Sequence, residues 1–270
     1  MTHPMLSFRY TQGKSPDVLL LLHGFLGCKE DWETLEKAIG PDQSYLTTDL
    51  PGHAETAGIA LAPESYRMEK CAKLVIDTIN HVGLSSCHLL GYSMGGRLAL
   101  FLALHYPDRF RSLMIESATA GIRNETERTE RRARDAKLAQ TIRDRNLADF
   151  LEFWYSQPLF ATLDPQSQSY KLMYERRLGS DREGLALSLE QMGTGAQPDL
   201  WDHLNELKIP ALFMAGARDW KFQRLAAEMA NLCPGGEVAI LAEAGHNVHF
   251  EKPEEFGQTV SAFIRSGAKK

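Results

Sequence analysis

The sequence predicts an α/β fold: a mostly parallel, doubly wound sheet into which a helical cap is inserted. Three observations carry that expectation. From Val18 to Glu116 short aliphatic runs alternate with helical patterns, as strands and crossover helices do. Between about residues 121 and 204 the strand signals disappear and helical, charge-rich sequence takes over. Strand character then returns near Pro210 and Val238, before a closing amphipathic stretch.

Taken in order, Val18–Leu22 is an aliphatic run bounded by a Gly/Ser/Pro turn and His23-Gly24, which suits a strand buried on both faces. Ser44–Asp49 reads as the next strand, closed by Leu50-Pro51-Gly52. Over Glu64–Val82 apolar residues recur at helical intervals (Met68, Cys71, Ala72, Val75, Ile76, Ile79), and Gly83 stands at the usual stop position. Cys87–Leu90 is a short strand, Gly91–Gly95 a tight turn, and Gly96–Tyr106 a helix ended by Pro107. Ser112–Glu116 is a further strand. After the helical segment, Pro210–Gly216 and Val238–Leu241 read as strands and Pro253–Ile264 as the closing helix. The organisation expected is a core from residues 1–120 and 205–270, with a helical cap over 121–204.

Composition bounds the function. The chain has 270 residues, 43% hydrophobic and 24% charged, which supplies one large core. A formal net charge of -5 provides no overall basic field for a phosphate backbone, so nucleic acid is not an expected partner. Cys28, Cys71, Cys87 and Cys233 form no C-x-x-C pair, and no Cys/His cluster has zinc spacing; reduced thiols and no zinc site are expected. The first residues lack the basic-then-apolar run of a signal peptide, and no eighteen-residue apolar run occurs, so a soluble, cytoplasmic chain without membrane contact is expected.

Chemistry concentrates at three strand ends. Gly91-Tyr92-Ser93-Met94-Gly95 is a G-x-S-x-G turn between a strand and a helix, where flanking glycines permit a sharp bend that exposes the Ser93 hydroxyl. Alone, such a pattern is also what a chance glycine turn looks like. Asp219 follows the strand ending at Gly216, and His246 follows the next. Both belong to the edge where open α/β sheets place their sites. Ser93, Asp219 and His246 therefore form a candidate triad: His246 takes the serine proton, and Asp219 fixes the imidazole tautomer. His23-Gly24-Phe25, after the first strong strand, suits an oxyanion hole made by the backbone N–H groups of Phe25 and Met94.

HGF, DLPGH, GYSMGG, the strand-end aspartate and AGHN together resemble the α/β-hydrolase superfamily across nearly the whole chain. That resemblance implies a fold rather than a reaction. GYSMGGR, ERTERR, FWYSQPLF, MGTGAQPDLW, ARDWKF and AGHNVHFEKP resemble, more narrowly, the 2-succinyl-6-hydroxy-2,4-cyclohexadiene-1-carboxylate synthase family of menaquinone and phylloquinone biosynthesis. The likeness implies a lyase that expels pyruvate from a small polycarboxylate, with Ser93 as the base and no cofactor. It also implies substrate contacts from Tyr92, Arg97, Arg131, Trp154, Arg177 and Lys221, since arginine grips carboxylates with a planar fork.

Plainer readings compete for several of these. The cap's charges are nearly balanced, and Glu127 with Arg131 or Glu130 with Arg134 have the i,i+4 spacing of pairs that solvate a helix. Arg176 and Arg177 compete for one family position. Trp154, with Phe150, Phe153 and Tyr155, suits the packing of cap on core. Two other functions are compatible with the triad: a carboxylesterase or carbon–carbon bond hydrolase using Ser93 as a nucleophile, and a ligand-binding protein that has kept the fold.

Overall fold

The computed structural model describes residues 5–267; Met1–Pro4, with part of the N-terminal stretch read above, and residues 268–270 lie outside the described residues. Seven strands form one sheet: β1 (Phe8–Thr11), β2 (Val18–Leu22), β3 (Ser44–Thr48), β4 (Cys87–Tyr92), β5 (Phe110–Glu116), β6 (Ala211–Gly216) and β7 (Gly236–Leu241). Their order is β1-β3-β2-β4-β5-β6-β7, all parallel except β1, which runs antiparallel to β3. β1 is a half-exposed edge strand, FRYT, and its mixed polarity gives no aliphatic run to signal it.

Helices cover both faces. Those of the core are α1 (Glu33–Ile39), α2 (Met68–His81), α3 (Met94–His105), α8 (Trp220–Leu232), α9 (Val248–Glu251) and α10 (Pro253–Gly267). The pleat of β2 divides the core in two: Leu20 and Leu22 pack with α2, α3 and α8, whereas Leu19 and Leu21 pack with Trp32, Leu35 and the α10 residues Phe256 and Val260. α2 begins at Met68 rather than Glu64, because Pro63–Tyr66 forms a separate 3-10 turn. α3 begins at Met94, two residues before the expected Gly96, so the helix leaves the Ser93 turn at once.

Between β5 and β6 come α4 (Glu125–Asp144), α5 (Leu147–Tyr155), α6 (Gln168–Leu178) and α7 (Arg182–Met192). Each starts where a side-chain oxygen accepts a backbone N–H of its first turn: Asn124, Asn146, Ser167 and Asp181 in order. The four helices share an apolar cluster that includes Ala139, Ile142, Phe150, Leu151, Leu185 and Leu189, and Leu26 from the loop after β2 enters it.

Candidate active site

The site lies at the C-terminal ends of the parallel strands. Ser93 joins β4 to α3 with φ 50° and ψ -107°, a left-handed conformation that costs a non-glycine residue about 1–3 kcal/mol. Gly95 meets the Leu22 and His23 carbonyls so closely that no side chain fits there. A Cβ on Gly24 would stand 2.7 Å from the Tyr92 ring, so the loop after β2 lies against the Ser93 turn only as glycine. Met94 opens α3, which leaves its N–H without an intrahelical acceptor. Phe25 and Met94 both line the cavity that Ser93 faces.

Asp219, 8% exposed, places Oδ2 2.8 Å from His246 Nδ1, and its Oδ1 accepts the Phe222 N–H at 3.3 Å. With the carboxylate holding the Nδ1 proton, Nε2 is the free base, 3.4 Å from Ser93 Oγ. Tyr92, Phe222 and Phe160 surround the buried imidazole, with ring centroids at 5.5, 4.6 and 6.2 Å. The three side chains separated in sequence thus meet in one hydrogen-bonded line.

Above them is a cavity closed on one side by α4–α7. Tyr92, Arg97, Arg131, Trp154, Arg177 and Lys221 all line it, but their states differ. Arg97, 8% exposed, donates from Nη1 to the Met192 carbonyl at 2.7 Å and to Gln197 Oε1 at 2.9 Å. Both partners are neutral, and burial with the nearby Arg131 charge pushes Arg97 down to about 9. Arg131 pairs with Asp135 at 2.8 Å. This corrects the spacing-based pairing: neither Glu127–Arg131 nor Glu130–Arg134 forms an ion pair, because Arg131 turns toward the following turn of α4, where Asp135 is buried.

Arg177, buried, grips Asp31 with both terminal nitrogens and donates from Nε to the Tyr155 hydroxyl at 3.3 Å. Burial alone would raise Asp31, yet the Arg177 charge beside it holds the carboxyl down to about 2. Arg176 instead reaches the Glu30 carbonyl and Glu33, and does not line the cavity. Trp154 both lines the cavity and packs on Phe25, Phe150 and Phe160, whereas Phe153 is exposed. Sequence reasoning missed Asp31, Tyr155 and a second buried pair, Glu116 with His249 Nδ1 at 2.7 Å. Among the described residues no group of three or more His, Cys, Asp or Glu has metal-site geometry. None of the described helices is long and apolar enough to cross a membrane.

Two histidines brace the loop beside the cavity. His23 Nδ1 donates to the Gly24 carbonyl at 2.7 Å while Nε2 accepts the Leu50 N–H at 2.9 Å, a pattern that only the neutral ring satisfies. Burial pushes His23 down to about 4 and His53 down to about 3. The unfolded chain takes up these protons below about pH 6.5 and the folded chain does not, so stability present above pH 6.5 is lost as pH falls toward 4. Each ring contributes a slope of up to about 1.4 kcal/mol per pH unit. Urea midpoints measured from pH 7 to 4.5 are expected to fall accordingly, less steeply in His53→Phe; identical slopes contradict the assignment.

A family model described as the alpha/beta hydrolase fold matches residues 17–253. That is the class of protein the sheet and its strand-end residues define. A relative in Bacillus subtilis (strain 168) is 36% identical over 93% of this chain and 91% of its own length. The 2-succinyl-6-hydroxy-2,4-cyclohexadiene-1-carboxylate synthase of Citrobacter koseri is 34% identical, over 92% of this chain and 93% of that protein. MenH from S. aureus superposes with a TM-score of 0.91 at 29% identity, covering 97% of this chain and 98% of that one. The chain belongs to the 2-succinyl-6-hydroxy-2,4-cyclohexadiene-1-carboxylate synthase family of α/β-hydrolase-fold enzymes.

Proposed function

We propose that this enzyme eliminates pyruvate from 2-succinyl-5-enolpyruvyl-6-hydroxy-3-cyclohexene-1-carboxylate, with Ser93 as the proton-abstracting base. The observation that carries this reading is Arg97: a buried guanidinium one helical turn past Ser93, bonded only to neutral acceptors inside the cavity that holds the triad. A buried charge without a counter-ion is costly, and a substrate carboxylate supplies what is missing. Such a pocket suits a polycarboxylate better than a neutral ester.

In this mechanism His246 Nε2 accepts the Ser93 proton as Oγ removes the ring proton next to the succinyl carbonyl. Asp219 steadies the imidazolium. The carbonyl oxygen takes up negative charge facing the Phe25 and Met94 N–H groups, each such donor being typically worth roughly 3 kcal/mol of barrier. Charge returns through the ring double bond, a second ring double bond forms, and the C–O bond to the enolpyruvyl group breaks. Enolpyruvate leaves with that electron pair and becomes pyruvate on protonation. Ser93 forms no covalent intermediate.

Arg97 and Lys221 hold carboxylates in this reading, Arg131 and Arg177 present the remaining donors of forks already anchored on Asp135 and Asp31, and Tyr92 and Trp154 shape the walls. Four buried, unpaired cysteines fit a reducing compartment, and we place the enzyme in the cytoplasm. The test is enzyme-dependent pyruvate release from freshly made substrate, with the spontaneous rate subtracted; no release from folded protein sinks the proposal. Arg97→Ala is expected to lower kcat/KM about tenfold to hundredfold, the worth of a charged hydrogen bond, chiefly through KM, with partial recovery in Arg97→Lys.

A further inference from the structure

A second cleft shares Arg131 and Lys221 with the cavity and runs away from Ser93, between the first half of α4 and the start of α8. Each helix turns two cations into it at i,i+3 spacing: Arg131 and Arg134 from α4, Lys221 and Arg224 from α8. Arg123 adds a fifth, seated over the Trp201 ring at 4.1 Å. Glu127 and Glu228 are the acidic residues lining the cleft, so five cations face two carboxylates there, a local balance of +3 on a chain of net charge -5. Arg123 spends itself on Glu228 and Arg131 on Asp135. No carboxylate among the described residues lies within 4.0 Å of the Arg134, Lys221 or Arg224 cations.

Like charges one turn apart weaken a helix by a few tenths of a kcal/mol. Here two helices do this toward the same space, and Arg134, Lys221 and Arg224 are left without a carboxylate partner among the described residues. Partial desolvation at the cleft wall and the surrounding Arg131, Arg134 and Arg224 charges, only partly offset by Asp219, hold Lys221 below the usual lysine range, which agrees with cations facing one another across the cleft.

We propose that the cleft is an outer anion-binding subsite, at which Arg134 and Arg224 capture a polycarboxylate and pass it along Lys221 and Arg131 to Arg97. The inference rests on the polycarboxylate reading of the cavity. A substrate carrying three carboxylates approaches a protein that repels it on average, and a focused positive mouth reverses the sign of the field where it matters. Salt suppresses such an effect, since the screening length is only about 8 Å at 0.15 M.

Two measurements test it. First, kcat/KM for pyruvate release is followed against NaCl concentration in the wild type, in Arg134→Gln/Arg224→Gln, and in Lys73→Gln, a remote surface change on α2. At low salt the double variant is expected to fall about tenfold or more, within the tenfold-to-thousandfold range of electrostatic steering. The wild-type and double-variant curves then converge by 0.5 M NaCl, and Lys73→Gln follows the wild type. Parallel salt curves with equal low-salt values overturn the subsite. Second, phenylglyoxal modification of wild-type protein is read peptide by peptide with and without millimolar citrate as a tricarboxylate probe. Protection of Arg134 and Arg224 supports the subsite, and unchanged modification at both overturns it. The second measurement needs no turnover, so loss of the synthase reading and loss of the subsite are told apart: the first appears as no pyruvate release, the second as unprotected arginines.

Discussion

Ser93→Ala is expected to abolish serine-dependent pyruvate release, lowering kcat by at least about a thousandfold while the protein still binds its substrate. The size follows from the geometry. His246 Nε2 is 3.4 Å from Ser93 Oγ and is enclosed by Tyr92, Phe160 and Phe222, so without Oγ the imidazole lacks the group through which it reaches the ring proton. Removal of one member of a cooperating triad commonly costs about as much as removal of all three, and what remains is catalysis by the oxyanion donors and by binding. Lactate-dehydrogenase-coupled turnover together with calorimetric binding separates the outcomes. Full turnover in Ser93→Ala removes the serine from the mechanism; turnover and binding lost together point to a disturbed pocket instead.

The second large effect is on stability. Asp31→Asn leaves the buried Arg177 guanidinium without its counter-charge, and breaking such a pair from one side costs about 3–5 kcal/mol. Arg177→Met alone has the reverse defect, a buried carboxylate left with the Cys28 backbone N–H and thiol and the more distant Arg176 guanidinium at 4.0 Å. In the double variant neither charge remains, so its loss is expected to be well below the sum of the single losses. Denaturant midpoints for all four proteins complete the cycle. Additive losses would show that the pair contributes little coupling and that Asp31 serves mainly to cap the turn after Cys28.

The distribution of legible and illegible features follows from how far each signal travels along the chain. The sheet was readable because β2 is a pure aliphatic run, and a strand buried on both faces favours such composition. That Ser93, Asp219 and His246 meet could be anticipated because each follows its own strand signal, and the order along the chain did the rest. Asp31 could not be found. It lies 146 residues from Arg177, and nothing near it in sequence marks a buried partner. Arg131 shows the limit of local rules: its spacing allows a pair with Glu127 or with Asp135, and burial of Asp135 decides between them. That Arg97 lacks a counter-ion is equally invisible in sequence, because it depends on what two distant segments, at Met192 and Gln197, do not offer.

The left-handed backbone at Ser93 bears on how such a site persists over generations. At φ 50° a glycine would sit more comfortably, and a chain selected for robustness alone would drift toward one. If Ser93 is the base proposed above, the strain is tolerable only while the hydroxyl is needed, and in a descendant that had given up turnover the elbow is among the first places where the backbone would be free to relax.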